Sequence, residues 1–137
     1  MDFTKLDTKT PAEAGNWLHL CRPYTEEKLY SGEKKDGKPC RVMLRGLESA
    51  SVQKIIKRQK AAEMTGKKSD IEQAERDGLA FAQSLVIDFQ NIERGDKPLS
   101  TSKDDVEWFF DLSADFVRQV MEFAADNQNF LPETSPN

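Results

Sequence analysis

The sequence predicts an α+β protein, with a small N-terminal antiparallel β unit followed by about four α-helices. Three observations carry this prediction. Apolar residues alternate with period two over 16–22 and 39–45. Beyond residue 49 they recur at the 3.6-residue spacing of helices. Hydroxyl residues (Ser69, Ser100 or Ser102, and Ser113) stand just ahead of apolar-periodic runs, where they can accept from free backbone N–H groups. A chain of 137 residues fits one domain with a modest core.

Residues 1–14 mix charge, Thr, Pro and Ala without a period, and read as a mobile lead-in. The β unit spans 15–46. Leu18 and Leu20 alternate with Trp17, His19 and Cys21, and Val42 and Leu44 alternate with Arg41, Met43 and Arg45. Pairing Leu20 with Val42 and Leu18 with Leu44 puts four apolar side chains on one face. A one-residue slip would mix Arg41 with them. The long connection from Pro23 to Lys38 can hold a third short strand at Lys28-Leu29-Tyr30, and Asp36-Gly37 is a good turn pair.

The helical part spans 49–130. A first helix is expected from Ser49 to Met64, with Val52, Ile55, Ile56 and Ala62 on one side and Lys54, Lys57, Arg58 and Lys60 on another. Gly66 breaks it. Ser69 and Glu72 have capping-box spacing, so a long helix is expected from there to Asn91. Its stripe is Ile71, Ala74, Gly78, Ala82, Leu85 and Phe89, widened by Leu79, Phe81 and Val86, and Arg94-Gly95-Asp96 ends it. Ser100 or Ser102 caps the next helix, with Asp104 and Asp105 at the positive end of its dipole. Ser113 caps the last, whose stripe is Phe116, Val117, Val120, Met121 and Ala124. Residues 131–137 carry two prolines and read as a frayed tail.

The charge pattern narrows the function. The net charge is −4, so broad binding to a phosphate backbone is not expected. The longest apolar runs are far too short to span a bilayer. The first six residues lack the apolar core of a signal peptide, and two cysteines make no disulfide framework, so a reduced cytoplasmic setting is expected. No phosphate-cradling glycine loop is present, and no cofactor is expected. His19, Cys21 and Cys40 are the one soft-ligand group the hairpin could gather, but they lack zinc-site spacing, so no metal and no catalytic residue is assigned. The basic run Lys54, Lys57, Arg58, Lys60, Lys67 and Lys68 reads as a solvated helix face. Its contrast with the acidic C-terminal third leaves self-association open.

Binding surfaces are therefore the place to look, and aromatics are the anchors that commonly dominate them. Trp108, Phe109 and Phe110 are consecutive, so on one helix they point in three directions. Trp108 lies off the side of Val106, Phe109 and Phe110, and is the residue expected to be exposed. With Phe123 and Phe130 these three form the candidate protein-binding set.

Two stretches carry a family resemblance. The first is Pro23-Tyr24-Thr25-Glu26-Glu27-Lys28-Leu29 with Gly37-Lys38-Pro39-Cys40-Arg41-Val42-Met43-Leu44-Arg45-Gly46-Leu47-Glu48-Ser49. The second is the Pro98-Leu99-Ser100 turn, the Val106 to Phe110 helix, and the Val117 to Val120 helix ending at Asn129-Phe130. In this order they resemble phage tail assembly chaperones. The resemblance implies a non-catalytic protein that binds the tape measure protein, helps recruit tail tube protein, and leaves before the virion is complete. Two other readings stay open. One is a structural head–tail or tail component retained in the virion. The other is a nucleic-acid-binding regulator using the basic helix 54–68.

Overall fold

The computed structural model describes residues 1–32, 37–65 and 71–132. Among these residues it is an α+β fold in which the four helices between residues 50 and 125 pack on one face of a three-stranded antiparallel sheet. The expectations on Asp36, Gly66, Lys67, Lys68 and the Ser69 cap, and on the tail past residue 132, lie outside the described residues.

Residues 1–14 hold a 3-10 turn at Phe3–Leu6 and a short helix α1 at Lys9–Ala14. Helix α1 is tied down: Ala12 is buried, its carbonyl accepts from the Gly46 N–H, and Glu13 accepts from the Ser51 N–H. Gly15 then turns the chain with φ +84. A Cβ there would lie 2.5 Å from Ile87 Cδ1 and 2.7 Å from the Leu44 carbonyl oxygen, so both conformation and space require glycine.

Strand β1 (Asn16–His19) pairs with β4 (Arg41–Leu44). The faces are as the period predicts, but the register is displaced by two residues. Leu18 lies opposite Val42 and Asn16 opposite Leu44, while Leu20 falls beyond the strand. A two-residue slide keeps every side chain on its face, so alternation alone does not distinguish the two alignments. Leu20 is nevertheless buried, because its N–H donates to the Cys40 carbonyl and its own carbonyl accepts from Leu29. Between β1 and β4, the two-residue strands β2 (Tyr30–Ser31) and β3 (Lys38–Pro39) form a small ribbon.

Helix α2 (Ala50–Met64) begins where expected, with the Ser49 hydroxyl accepting from the Val52 N–H. Val52 is buried and Ile55 and Ile56 are half-buried, whereas Ala62 is exposed. Helix α3 (Ile71–Leu85) departs from expectation at its end. It does not continue to Asn91, but passes directly into strand β5 (Val86–Gln90), which pairs with β4 and completes the sheet. Two physical causes act together. Arg45 donates its N–H to the Leu85 carbonyl and its guanidinium to the Ser84 carbonyl, satisfying the last acceptors of the helix. The open edge of β4 then offers ladder bonds to a segment with adjacent β-branched residues, Val86 and Ile87. The sheet is thus not confined to 15–46.

Arg94-Gly95-Asp96 is the turn of a small hairpin rather than a helix stop: β6 (Glu93–Arg94) pairs with β7 (Lys97–Pro98). The two final helices follow the predicted caps. Ser102 accepts from the Asp105 N–H at the start of α4 (Lys103–Asp111), and Ser113 from the Asp115 N–H at the start of α5 (Ala114–Ala125). A 3-10 turn at Asn127–Phe130 closes the described fold and buries Phe130 beside Gly46.

The core joins Val42, Leu44, Val86 and Phe89 of the sheet to Val52, Leu85, Val106, Phe109, Val120 and Ala124 of the helices. The opposite sheet face carries Trp17, His19, Arg41 and Met43, with the Arg41 guanidinium 4.5 Å from the Trp17 ring centre.

Candidate protein-binding groove

Helices α3, α4 and α5 leave a groove between them. Its apolar part is lined by Gly78, Phe81, Ala82, Leu85, Phe110, Val117, Val120 and Met121, and holds about 380 Å³. An adjoining depression of about 340 Å³ extends it past Glu75, Leu79, Glu107 and Asp111. The groove exists because the apolar stripe of α3 is wider than its partners cover. Leu85 is fully buried at one end of the helix, but Ile71, Ala74 and Gly78 are exposed at the other.

The walls are well packed. Phe109 is only 1% exposed and anchors α4: its ring stacks on Phe116, meets Phe110 edge-on, and lies 5.1 Å from Phe89 of the sheet. Helix α5 is held from its far side by a buried polar clasp. The Asp115 carboxylate accepts from the Tyr24 N–H at 2.9 Å, from Gln119 Nε2 at 3.0 Å and from Arg118 Nε at 2.6 Å. Gln119 also accepts from the Cys21 N–H and donates to the Cys21 carbonyl, so the loop after β1 is fixed to α5. Tyr24 has φ +62, a conformation that non-glycine residues rarely adopt, and the bond to Asp115 helps to hold it there. The Arg118 guanidinium, together with the Tyr24 N–H, lowers the Asp115 carboxyl to about 2.

The five aromatic residues singled out from the sequence do not form one surface. Phe110 is half-buried and lines the groove. Phe109 and Phe130, at 1% and 6% exposure, are packed inside the fold and present no surface. Phe123 meets Phe130 edge-on and lines a separate depression with Leu18 and His19. Trp108 is half-buried instead of exposed: it packs against the core, and the β6–β7 hairpin places the Arg94 guanidinium 5.2 Å from its ring centre. Arg94 is in turn held by Asp104 and Asp105.

Sequence reasoning missed Gly78, Phe81, Val117 and Met121 as a group. One signal was present: a glycine in the middle of a helical stripe.

The other candidate features are engaged elsewhere. His19 Nε2 contacts the Leu29 carbonyl oxygen at 2.8 Å, and the Cys40 thiol donates to the Asn91 carbonyl. Burial pushes the Cys40 thiol up. Among the described residues no three His, Cys, Asp or Glu side chains lie close enough to hold a metal ion. Lys54, Lys57, Arg58 and Lys60 are exposed on α2. No helix among the described residues is long and apolar enough to cross a membrane.

Comparison with protein-family models, curated proteins and solved structures finds no match.

Proposed function

We propose that this chain is a non-catalytic tail assembly chaperone that binds a helical client reversibly through the α3–α4–α5 groove. Under this reading the client is the tape measure protein, tail tube protein is recruited to the complex, and the chaperone acts in the host cytoplasm and is absent from the finished virion. The observation that carries the reading is the groove itself. An amphipathic client helix seats its apolar face in a groove between helices, and this one is apolar, open and framed by well-packed helices. The family resemblance of 23–49 and 95–130 supplies the identity of the client.

The test is co-expression with a tape measure fragment, followed by pull-down. The expected result is a soluble complex that is lost in Val117→Asp, a substitution at a position 39% exposed on the groove wall. The variant's circular dichroism should match the parent's. A fragment that stays insoluble with the parent chain sinks the reading. Stoichiometric amounts of the chain in purified virions would favour a retained tail component instead.

A further inference from the structure

Gly78 stands in the middle of α3, where alanine or leucine would give a steadier helix. Among the described residues nothing demands glycine there: a Cβ would meet none of their atoms within 4 Å. The contrast with Gly46 is instructive, since a Cβ at Gly46 would lie 2.9 Å from the Phe130 ring and 3.1 Å from Ala12. Gly46 serves packing within the chain, whereas Gly78 keeps space clear outside it. That space is the groove floor, since Gly78 lines both its apolar part and its polar extension.

Charge then selects what can lie there. Glu75, Glu107 and Asp111 line the extension, and among the described residues no basic side chain lines either part. All three carboxylates are exposed, and among the described residues none of them is in an ion pair. An apolar floor beside unpaired carboxylates is complementary to a helix whose apolar stripe is bordered by cations.

We propose that the groove seats a partner helix with an apolar stripe flanked by Lys or Arg, and that a bulky apolar side chain of that helix occupies the space above Gly78. The proposal rests on the reading of this chain as a helix-binding protein and specifies the chemistry of its client. The basic helix α2 of a second copy is a poorer match, because it packs Val52 and Ile56 into its own core and so does not offer that stripe beside Lys54, Lys57, Arg58 and Lys60.

The experiment uses the full chain and two synthetic helical peptides of the same Leu/Phe stripe, one flanked by Lys and one by Glu, followed by fluorescence anisotropy. At low salt the Lys-flanked peptide should bind at least about tenfold tighter, and the difference should shrink at about 0.5 M salt. Gly78→Leu should weaken that binding by about tenfold or more while the helical circular dichroism is retained. If Gly78→Leu does not fold, the pair Glu107→Lys with Asp111→Lys serves instead and should invert the preference between the peptides. Equal binding of both peptides overturns the proposal, as does a folded Gly78→Leu that binds like the parent. A parent dimer in light scattering that Gly78→Leu dissociates overturns it too, because the occupant is then a second copy. Should neither peptide bind while the tape measure fragment is still solubilised, the groove chemistry is wrong and the chaperone reading stands. If neither peptide binds and the fragment also stays insoluble, both fall.

Discussion

The two sides of α5 are built in opposite ways. On one side Asp115 and Gln119 are buried polar groups bonded to the loop at Cys21 and Tyr24. On the other, Val117 and Met121 are apolar groups left facing an open groove. Asp115 and Gln119, four residues apart, share one face; Val117 and Met121 share the face roughly opposite. Buried polar groups are costly unless satisfied, so the clasp has one arrangement and holds the helix in place. Exposed apolar groups are costly only until something covers them. One side therefore holds structure, and the other is available to a partner. Phe109 serves both, because it joins α4 to the sheet and to Phe116 of α5.

This contrast can be broken in graded steps. The largest effect is expected from Phe109→Ala, which empties the junction between sheet, α4 and α5. It should cost about 3–5 kcal/mol in urea unfolding, enough to leave a domain of this size marginal. Gln119→Ala leaves the Cys21 N–H without its side-chain acceptor in a part-buried setting and should cost about 1–3 kcal/mol by the same measurement.

Asp115 adds a pH signature. Its carboxyl is held at about 2 against an ordinary 3.8, chiefly by Arg118. A lowered carboxyl stabilises the fold above its unfolded value and loses that contribution as the pH falls through its folded value. Thermal melts of the parent and Asp115→Asn should therefore differ most near neutral pH, and the gap should close between 3.8 and about 2. A gap that stays constant across that range would mean the Arg118 contact does not set this carboxyl.

The smallest effect has the opposite sign. Gly78→Ala should raise stability by about 0.5–1 kcal/mol, since alanine favours the helix and its Cβ meets no neighbour. A loss of stability would show that Gly78 is needed by the fold and not by the groove.

Much of the architecture was legible before the structure, and the failures share a cause. The Ser113 cap, and Ser102 as one of two choices with Ser100, were readable because a hydroxyl and the N–H it serves lie two or three residues apart. The faces of β1 and β4 were readable because alternation is a property of neighbours. Phe89 was misread as the end of a helical stripe, because Leu85 and Phe89 have helical spacing while the donors that stop the helix come from Arg45. Trp108 was misread as exposed, because it packs against the core and part of its cover, Arg94, arrives on a hairpin that the Arg94-Gly95-Asp96 sequence did not announce as one. The groove went unseen because its lining comes from three helices, and only Phe110 of the proposed aromatic set reaches it.

By itself, then, the sequence determined what depends on residues a few positions apart: the α+β class, the starts of α2, α4 and α5, and which faces of the strands are apolar. Only the tertiary structure decided the two-residue slide of β1, the third strand at Val86–Gln90, and which aromatics meet solvent. Hydrogen-bond partners and covering side chains distant along the chain settle those features, and period and propensity carry no information about which distant segments meet.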